Sequence, residues 1–256
     1  MFPYFLNGQI TQSDCTAHDS IINKFQEDAQ RLTLSRILDN NYTYTDSIII
    51  PQSYTDTVLN ALISVYNLIG IPERDTVIEM LNIHTKINLS LNGFYLSADS
   101  TLGWMNNLSN GNLNSGQPIL DEITSTYGFT LSGYYNSPVN YHATAIFSST
   151  ENYNIKPITE IIETISGVLW AEPDNYGGDG STIYHEIFPT YSELTFRYAW
   201  GDCPAGCTGQ RLWKFKVFSD CSVEFAGSSG SPLPATASLI KNEKTSINIF
   251  PNPFSN

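Results

Sequence analysis

The sequence predicts an α+β fold, and three observations carry that reading. Helical periodicity dominates the first third of the chain, strands and helices alternate through the middle, and period-two strands flank a cysteine pair near the end. At 256 residues there is room for one large domain or two small ones. A hydrophobic content of 41%, with four Trp, 15 Tyr and 13 Phe, supplies a core and argues against global disorder.

The helical part spans residues 10–85. From Asp19 to Leu38 the apolar positions Ile21, Ile22, Phe25, Ala29, Leu32, Leu34, Ile37 and Leu38 recur mostly at three- and four-residue steps, which predicts one or two amphipathic helices capped by Asp19 or Ser20. A second helix is expected from about Tyr54 to Leu68, ended by Gly70-Ile71-Pro72. Between them, Ser47-Ile48-Ile49-Ile50-Pro51 reads as a short extended segment.

Residues 86–173 alternate. Ile87 to Leu91 and Phe94 to Leu96 read as strands, followed by a loop rich in glycine and asparagine from Asn106 to Gly116. Pro118 opens a helix that Gly128 stops. Strands follow at Phe129–Tyr135 and Tyr141–Phe147, then a helix from Lys156 to Ser166 and a strand from Val168 to Glu172. The order β-α-β-β-α-β is the split, ferredoxin-like arrangement, in which two helices cover one face of an antiparallel sheet.

Residues 174–227 form a β-hairpin part. Leu194–Trp200 and Leu212–Phe218 alternate with period two, and the loop between them holds Cys203 and Cys207. With Cys15 and Cys221 the count is four, compatible with two disulfides in an oxidising compartment. The preferred pairing is Cys203 with Cys207 across the hairpin tip and Cys15 with Cys221 tying the N-terminus to the last strand. A structural zinc site is the weaker reading, because its ligands normally come as two close pairs and only one is present. The body is expected to end at Gly227, with a flexible linker over residues 228–245.

Charge narrows the partners. Twelve Lys and Arg face 25 Asp and Glu, a net charge of -13 that repels nucleic-acid backbones and anionic membrane surfaces. No apolar run reaches the roughly 18 to 20 residues that a membrane-spanning helix needs. Residues 1–9 turn from apolar to polar and read as the remnant of an export signal peptide.

The tail is the most specific feature. In residues 246–256 an alternating strand, Ile247-Asn248-Ile249, runs into Phe250-Pro251-Asn252-Pro253-Phe254. The prolines stop ladder pairing and fix a turn, while the phenylalanines supply apolar anchors. This segment resembles the first strand and turn of the type A C-terminal sorting domain read by the type IX secretion machinery of Bacteroidetes-type bacteria. The resemblance implies a secreted or outer-surface location and a partner in that machinery, and is silent on activity. A full sorting domain has further strands, so the motif is expected to be truncated. The stretch Trp200-Gly201-Asp202-Cys203-Pro204-Ala205-Gly206-Cys207 is also similar to a segment of uncharacterised secreted proteins of such bacteria.

Chemistry is sparse. His185-Glu186 is followed by Ile187, Phe188 and Pro189, which removes the helix that a His-Glu-x-x-His zinc site requires, and neither a serine elbow nor a phosphate-binding glycine loop is present. The acidic loop offers Glu172, Asp174, Asn175 and Asp179 as oxygen ligands suited to calcium, without matching the EF-hand pattern; no other cofactor is implied. Glu172 with Asp179 or Glu186 could form a glycosidase pair only at a defined carboxyl separation. The aromatics Tyr176, Tyr184, Tyr191, Tyr198 and Trp200 are candidates for a binding surface or for core.

Three functions follow as expectations. The first is a non-catalytic exported module that binds a protein, peptide or glycan. The second is an extracellular hydrolase using Asp174, Asp179, His185 and Glu186. The third is a domain similar to protease inhibitors or propeptides, with Gly167-Val168-Leu169-Trp170-Ala171 as its final-strand pattern.

Overall fold

The computed structural model describes residues 9–86, 88–137, 141–203 and 205–234. Residues 1–8 of the expected leader remnant, residues 235–245 of the expected linker and the motif Phe250–Phe254 lie outside this range. In chain order the elements are β1 (Ile10–Thr11), α1 (Asp19–Asp39), α2 (Gln52–Tyr66), α3 (Pro72–Asp75), a π-helical turn (Thr76–Met80), β2 (Gly93–Asp99), α4 (Gly103–Ser109), α5 (Pro118–Tyr127), β3 (Thr130–Asn136), β4 (His142–Ser148), α6 (Ile155–Glu163), β5 (Val168–Pro173), β6 (Thr182–Ile187), β7 (Tyr191–Trp200), β8 (Gly209–Phe218) and β9 (Val223–Gly230). The fold is thus mixed α and β, with two antiparallel sheets. It divides into two compact units that interleave along the sequence, so residues 10–85 do not form one helical part.

One unit comprises Ala17–Leu62 and Thr85–Gly178. Its sheet has the strand order β3-β4-β2-β5, every neighbouring pair antiparallel. Alternation commits one face to the core: Phe94, Leu96 and Ala98 of β2, Ala143, Ala145 and Phe147 of β4 and Ala171 of β5 are buried. They pack with Met105 and Leu108 of α4, Leu120 and Ile123 of α5, and Ile155, Ile158 and Ile162 of α6. Phe94 stacks on Phe147 at 4.9 Å and meets Phe129 edge-on at 5.0 Å. Gly128 ends α5 with φ +66°, the left-handed conformation that glycine adopts at least cost.

Several local expectations are corrected here. Asp19–Asp39 forms one helix whose cap is His18, its Nδ1 accepting from the Ser20 amide at 3.3 Å, while Asp19 already lies in the first turn. Asn88 to Leu91 is not a strand, because its backbone groups find other partners. The Arg31 guanidinium donates to the Leu89 carbonyl, the Ser90 amide donates to Asn175 Oδ1 at 2.8 Å, and the Tyr153 amide donates to the Leu91 carbonyl at 2.6 Å. The expected loop from Asn106 begins inside α4, where burial of Met105 and Leu108 one turn apart outweighs the weak helix propensity of asparagine.

Of the described residues, the other unit holds 9–16, Ile63–His84, 179–203 and 205–234. Its sheet runs β1-β9-β8-β7-β6. Ile183, Leu194, Phe196, Trp213, Phe215, Val217 and Val223 are buried on one face. The opposite face is a ladder of charges: Lys214 pairs with Glu193 at 2.5 Å and Lys216 with Glu224 at 3.3 Å. The body extends past its expected end. Ser228, Ser229 and Gly230, read from sequence as linker, pair with Trp213, Leu212 and Arg211 of β8.

Both expected cysteine pairs are disulfide-bonded, Cys15 with Cys221 at a Cα separation of 5.6 Å and Cys203 with Cys207 at 3.9 Å. Near the first, Ser13 Oγ donates to the Ser64 carbonyl at 2.7 Å, and Asn67 Nδ2 donates to the carbonyls of Asp14 and Thr16 at 2.7 and 2.9 Å. Among the described residues no helix is long and apolar enough to cross a membrane.

Candidate functional site

The face of the β3-β4-β2-β5 sheet turned away from its helices carries the most distinctive chemistry of the described residues. Because alternation assigns Phe94, Leu96 and Ala98 to the core, Tyr95, Ser97 and Asp99 must project the other way. Register then aligns two rows across the sheet. In the first, Tyr135 lies opposite Thr144, Thr144 opposite Ser97, and Ser97 opposite Trp170. In the second, Gly133 lies opposite Ile146, Ile146 opposite Tyr95, and Tyr95 opposite Glu172.

The first row is a trough. Its floor is made of two small hydroxyl side chains, and Ser97 is 4% exposed. Its walls are aromatic: Tyr135 is 64% exposed and Trp170 38%. They stand on the two edge strands, three strand spacings or about 14 Å apart. Gly133 lets the second row close up beside them, since a Cβ there would lie 3.3 Å from both Ile146 Cδ1 and Tyr135 Cε2.

Acidic groups gather at the β5 side. The amide of Asp174 bonds the Gly93 carbonyl at 2.9 Å, which fixes the chain as it leaves β5. Hydrogen bonding to Asp174 raises the Tyr95 phenol above its ordinary range, with desolvation and the charges of Asp174 and Glu172 adding to the effect. At the far end, Asp99 faces His142 across the strands and accepts from the Thr101 amide and hydroxyl at 2.8 Å, bonds that hold its carboxyl below the usual range. The four strands contain no Lys or Arg.

Other expected site residues are dispersed. Asp179 lies in the unit with the five-stranded sheet, where its carboxylate accepts from Arg197 Nη1 at 2.5 Å, Arg197 Nη2 at 2.8 Å and the Cys207 amide at 3.2 Å. Arg197 also donates to Gln210 and to the Gly180 carbonyl, so the pair braces the cysteine loop. These bonds hold the Asp179 carboxyl far below the ordinary range. Asn175 Oδ1 is engaged by the Ser90 amide. Two of the four expected calcium ligands, Asn175 and Asp179, are thus engaged by protein donors. Among the described residues, no group of three or more His, Cys, Asp or Glu side chains is placed to hold a metal ion.

Two of the four expected hydrolase residues take opposite faces of β6. His185 lies opposite buried Leu194, on the face of Ile183, whereas Glu186 lies opposite Glu193 on the charged face. Adjacent strand residues point to opposite faces, so these two do not converge.

Of the aromatics singled out from sequence, Tyr191 stacks on Phe188 at 4.7 Å and Tyr198 lies beside Trp200 at 5.7 Å. Tyr176 receives Lys86 over its ring at 5.3 Å, and Tyr184 is exposed on β6. Tyr95, Tyr135 and Trp170 were not singled out as binding residues. Each leaves one trace in the sequence, an aromatic placed out of phase with the core positions of its strand, but pairing across four strands is needed to bring them together.

No family model, curated protein or solved structure matches the chain.

Proposed function

We propose that the chain is an exported, non-catalytic binding module whose ligand surface is the open face of the β3-β4-β2-β5 sheet. The observation that carries this reading is the trough between exposed Tyr135 and Trp170 with Glu172 and Asp174 at one side. Large exposed aromatics on a rigid sheet supply contact area at low entropic cost, which is what a recognition surface requires. Disulfide-bonded cysteines support an oxidising, extracellular location. Phe250-Pro251-Asn252-Pro253-Phe254 supports export by a type IX route. The strand order β3-β4-β2-β5, with α5 and α6 in the two crossovers, supports a ferredoxin-like reading of this unit.

The test is a screen of the full chain against peptide and glycan arrays beside a Tyr135→Ala/Trp170→Ala variant. Ligands retained by the parent should be lost by at least about tenfold in the variant, the usual consequence of removing aromatic anchors. Tyr184→Ala, on the five-stranded sheet, should leave them unchanged. Binding indifferent to Tyr135 and Trp170 would place the function elsewhere.

A further inference from the structure

We infer that the open sheet face binds an extended, cationic peptide segment carrying Lys or Arg at positions i and i+4. This rests on the binding-module reading and gives it a ligand class.

Three observations point to a cation. The four strands contain no Lys or Arg, while Glu172 extends from β5 toward solvent and Asp174 follows directly after it. A Cβ on Gly93, which shares the face of Tyr95, would lie 3.4 Å from Asp174 Cβ, so the exposed Asp174 stands at this face with its carboxylate oxygens as acceptors. Trp170 lies two residues before Glu172 on the same strand, so indole and carboxylate project from one face and flank the same small volume. A guanidinium or ammonium there would gain a cation–π contact and a charge-assisted hydrogen bond together. A sugar would require donors as well as acceptors. Of the side chains in the two rows, only hydroxyls and the Trp170 indole N–H donate, and none is an amide or a cation.

Geometry sets the spacing. Tyr135 and Trp170 stand about 14 Å apart across the sheet. An extended peptide rises about 3.3 Å per residue and turns alternate side chains to the same side, so residues i and i+4 are same-facing and about 13 Å apart. Residue i then meets Trp170, Glu172 and Asp174, residue i+4 meets the Tyr135 ring, and residue i+2 lies over Ser97 and Thr144. The small floor residues accommodate a backbone crossing between the aromatic walls.

The experiment uses the full chain with its disulfides intact and three capped peptides: Arg-Ser-Ser-Ser-Arg, the spacing control Arg-Ser-Ser-Arg-Ser, and the charge-reversed Glu-Ser-Ser-Ser-Glu. Binding is followed by NMR shifts of the Trp170 indole and of backbone amides on β3 and β5. The first peptide should bind saturably, the spacing control at least about threefold more weakly, because in an extended chain its two cations face opposite sides. The third should not bind. Trp170→Ala and, separately, Glu172→Gln/Asp174→Asn should each weaken the first peptide by about fivefold or more. A charge-matched control, Glu122→Gln/Glu151→Gln, should not.

Equal loss in both charge-removal variants would mean diffuse attraction to an acidic protein and would overturn the inference. So would equal binding of the two Arg peptides. If no Arg peptide binds but a neutral peptide or glycan binds and is lost in Trp170→Ala, the cationic ligand class falls while the binding face stands. If no ligand of any class depends on Tyr135 or Trp170, the binding-module reading falls as well.

Discussion

Removing the Cys15–Cys221 disulfide should cost far more stability than removing Cys203–Cys207, and loop length sets the difference. The first bond joins residues 206 apart in sequence and the second joins residues 4 apart. In the chain-entropy account, constraint of the unfolded ensemble grows with the logarithm of the closed loop. It amounts to about 5 kcal/mol for the long loop and about 2 kcal/mol for the short one. The native contacts around Cys15 cannot replace that constraint. Among the described residues, β1 pairs Ile10 and Thr11 with β9, and Ser13 and Asn67 add hydrogen bonds. Each such bond contributes on the order of 1 kcal/mol. The assay is urea unfolding of Cys15→Ser/Cys221→Ser and of Cys203→Ser/Cys207→Ser against the parent, with slopes fitted separately because an uncrosslinked denatured chain exposes more surface. The first pair should lose about 3 kcal/mol more than the second. In the same variant, amide exchange should accelerate over residues 10–16 ahead of the β7–β8 hairpin. Equal losses from the two pairs, or a larger loss from the short loop, would refute the argument from loop length.

Two further predictions test the edges of the fold. Gly230 has φ +101°, and a Cβ there would run into the Gln210 carbonyl oxygen. Gly230→Ala should therefore destabilise by about 1 to 3 kcal/mol in urea unfolding, whereas a residue in a free linker would tolerate the change. The low Asp179 carboxyl has a definite sign in pH. A carboxyl depressed in the folded state stabilises above its unfolded pKa of about 3.9, and that contribution fades as pH falls through the folded value. Asp179→Asn should flatten the acid limb of a stability–pH curve below about pH 4 relative to the parent. The Cys207 amide shift, followed by NMR, should stay constant through pH 4 in the parent and move only in stronger acid.

Legibility in the sequence followed the range of the interaction. Pro118, Gly128 and the isoleucines of α6 mark helices because the signals lie within a few residues of the structure they specify. The period-two pattern of β7 and β8 marks a hairpin for the same reason. Asn88–Leu91 has strand-like composition yet forms no strand, since its hydrogen-bond partners are Arg31, Asn175 and Tyr153, each distant in sequence. Composition likewise drew attention to the acidic loop, whose members take partners distant in sequence. Asp179 turns to Arg197, Asn175 to the Ser90 amide, and Glu172 lies opposite Tyr95.

By itself, the sequence determined the mixed α and β class, the helix and strand periods and the availability of four cysteines for two bonds. These depend on local backbone preference, alternation and residue count. Tertiary structure alone decided the interleaving of the two units, the pairing of Ser228–Gly230 into β9 and the assembly of Tyr135, Thr144, Ser97 and Trp170 into one row. Strand order and register are set by pairings between distant segments, and a shift of one residue in β3 or β5 would turn Tyr135 or Trp170 from the open face into the core.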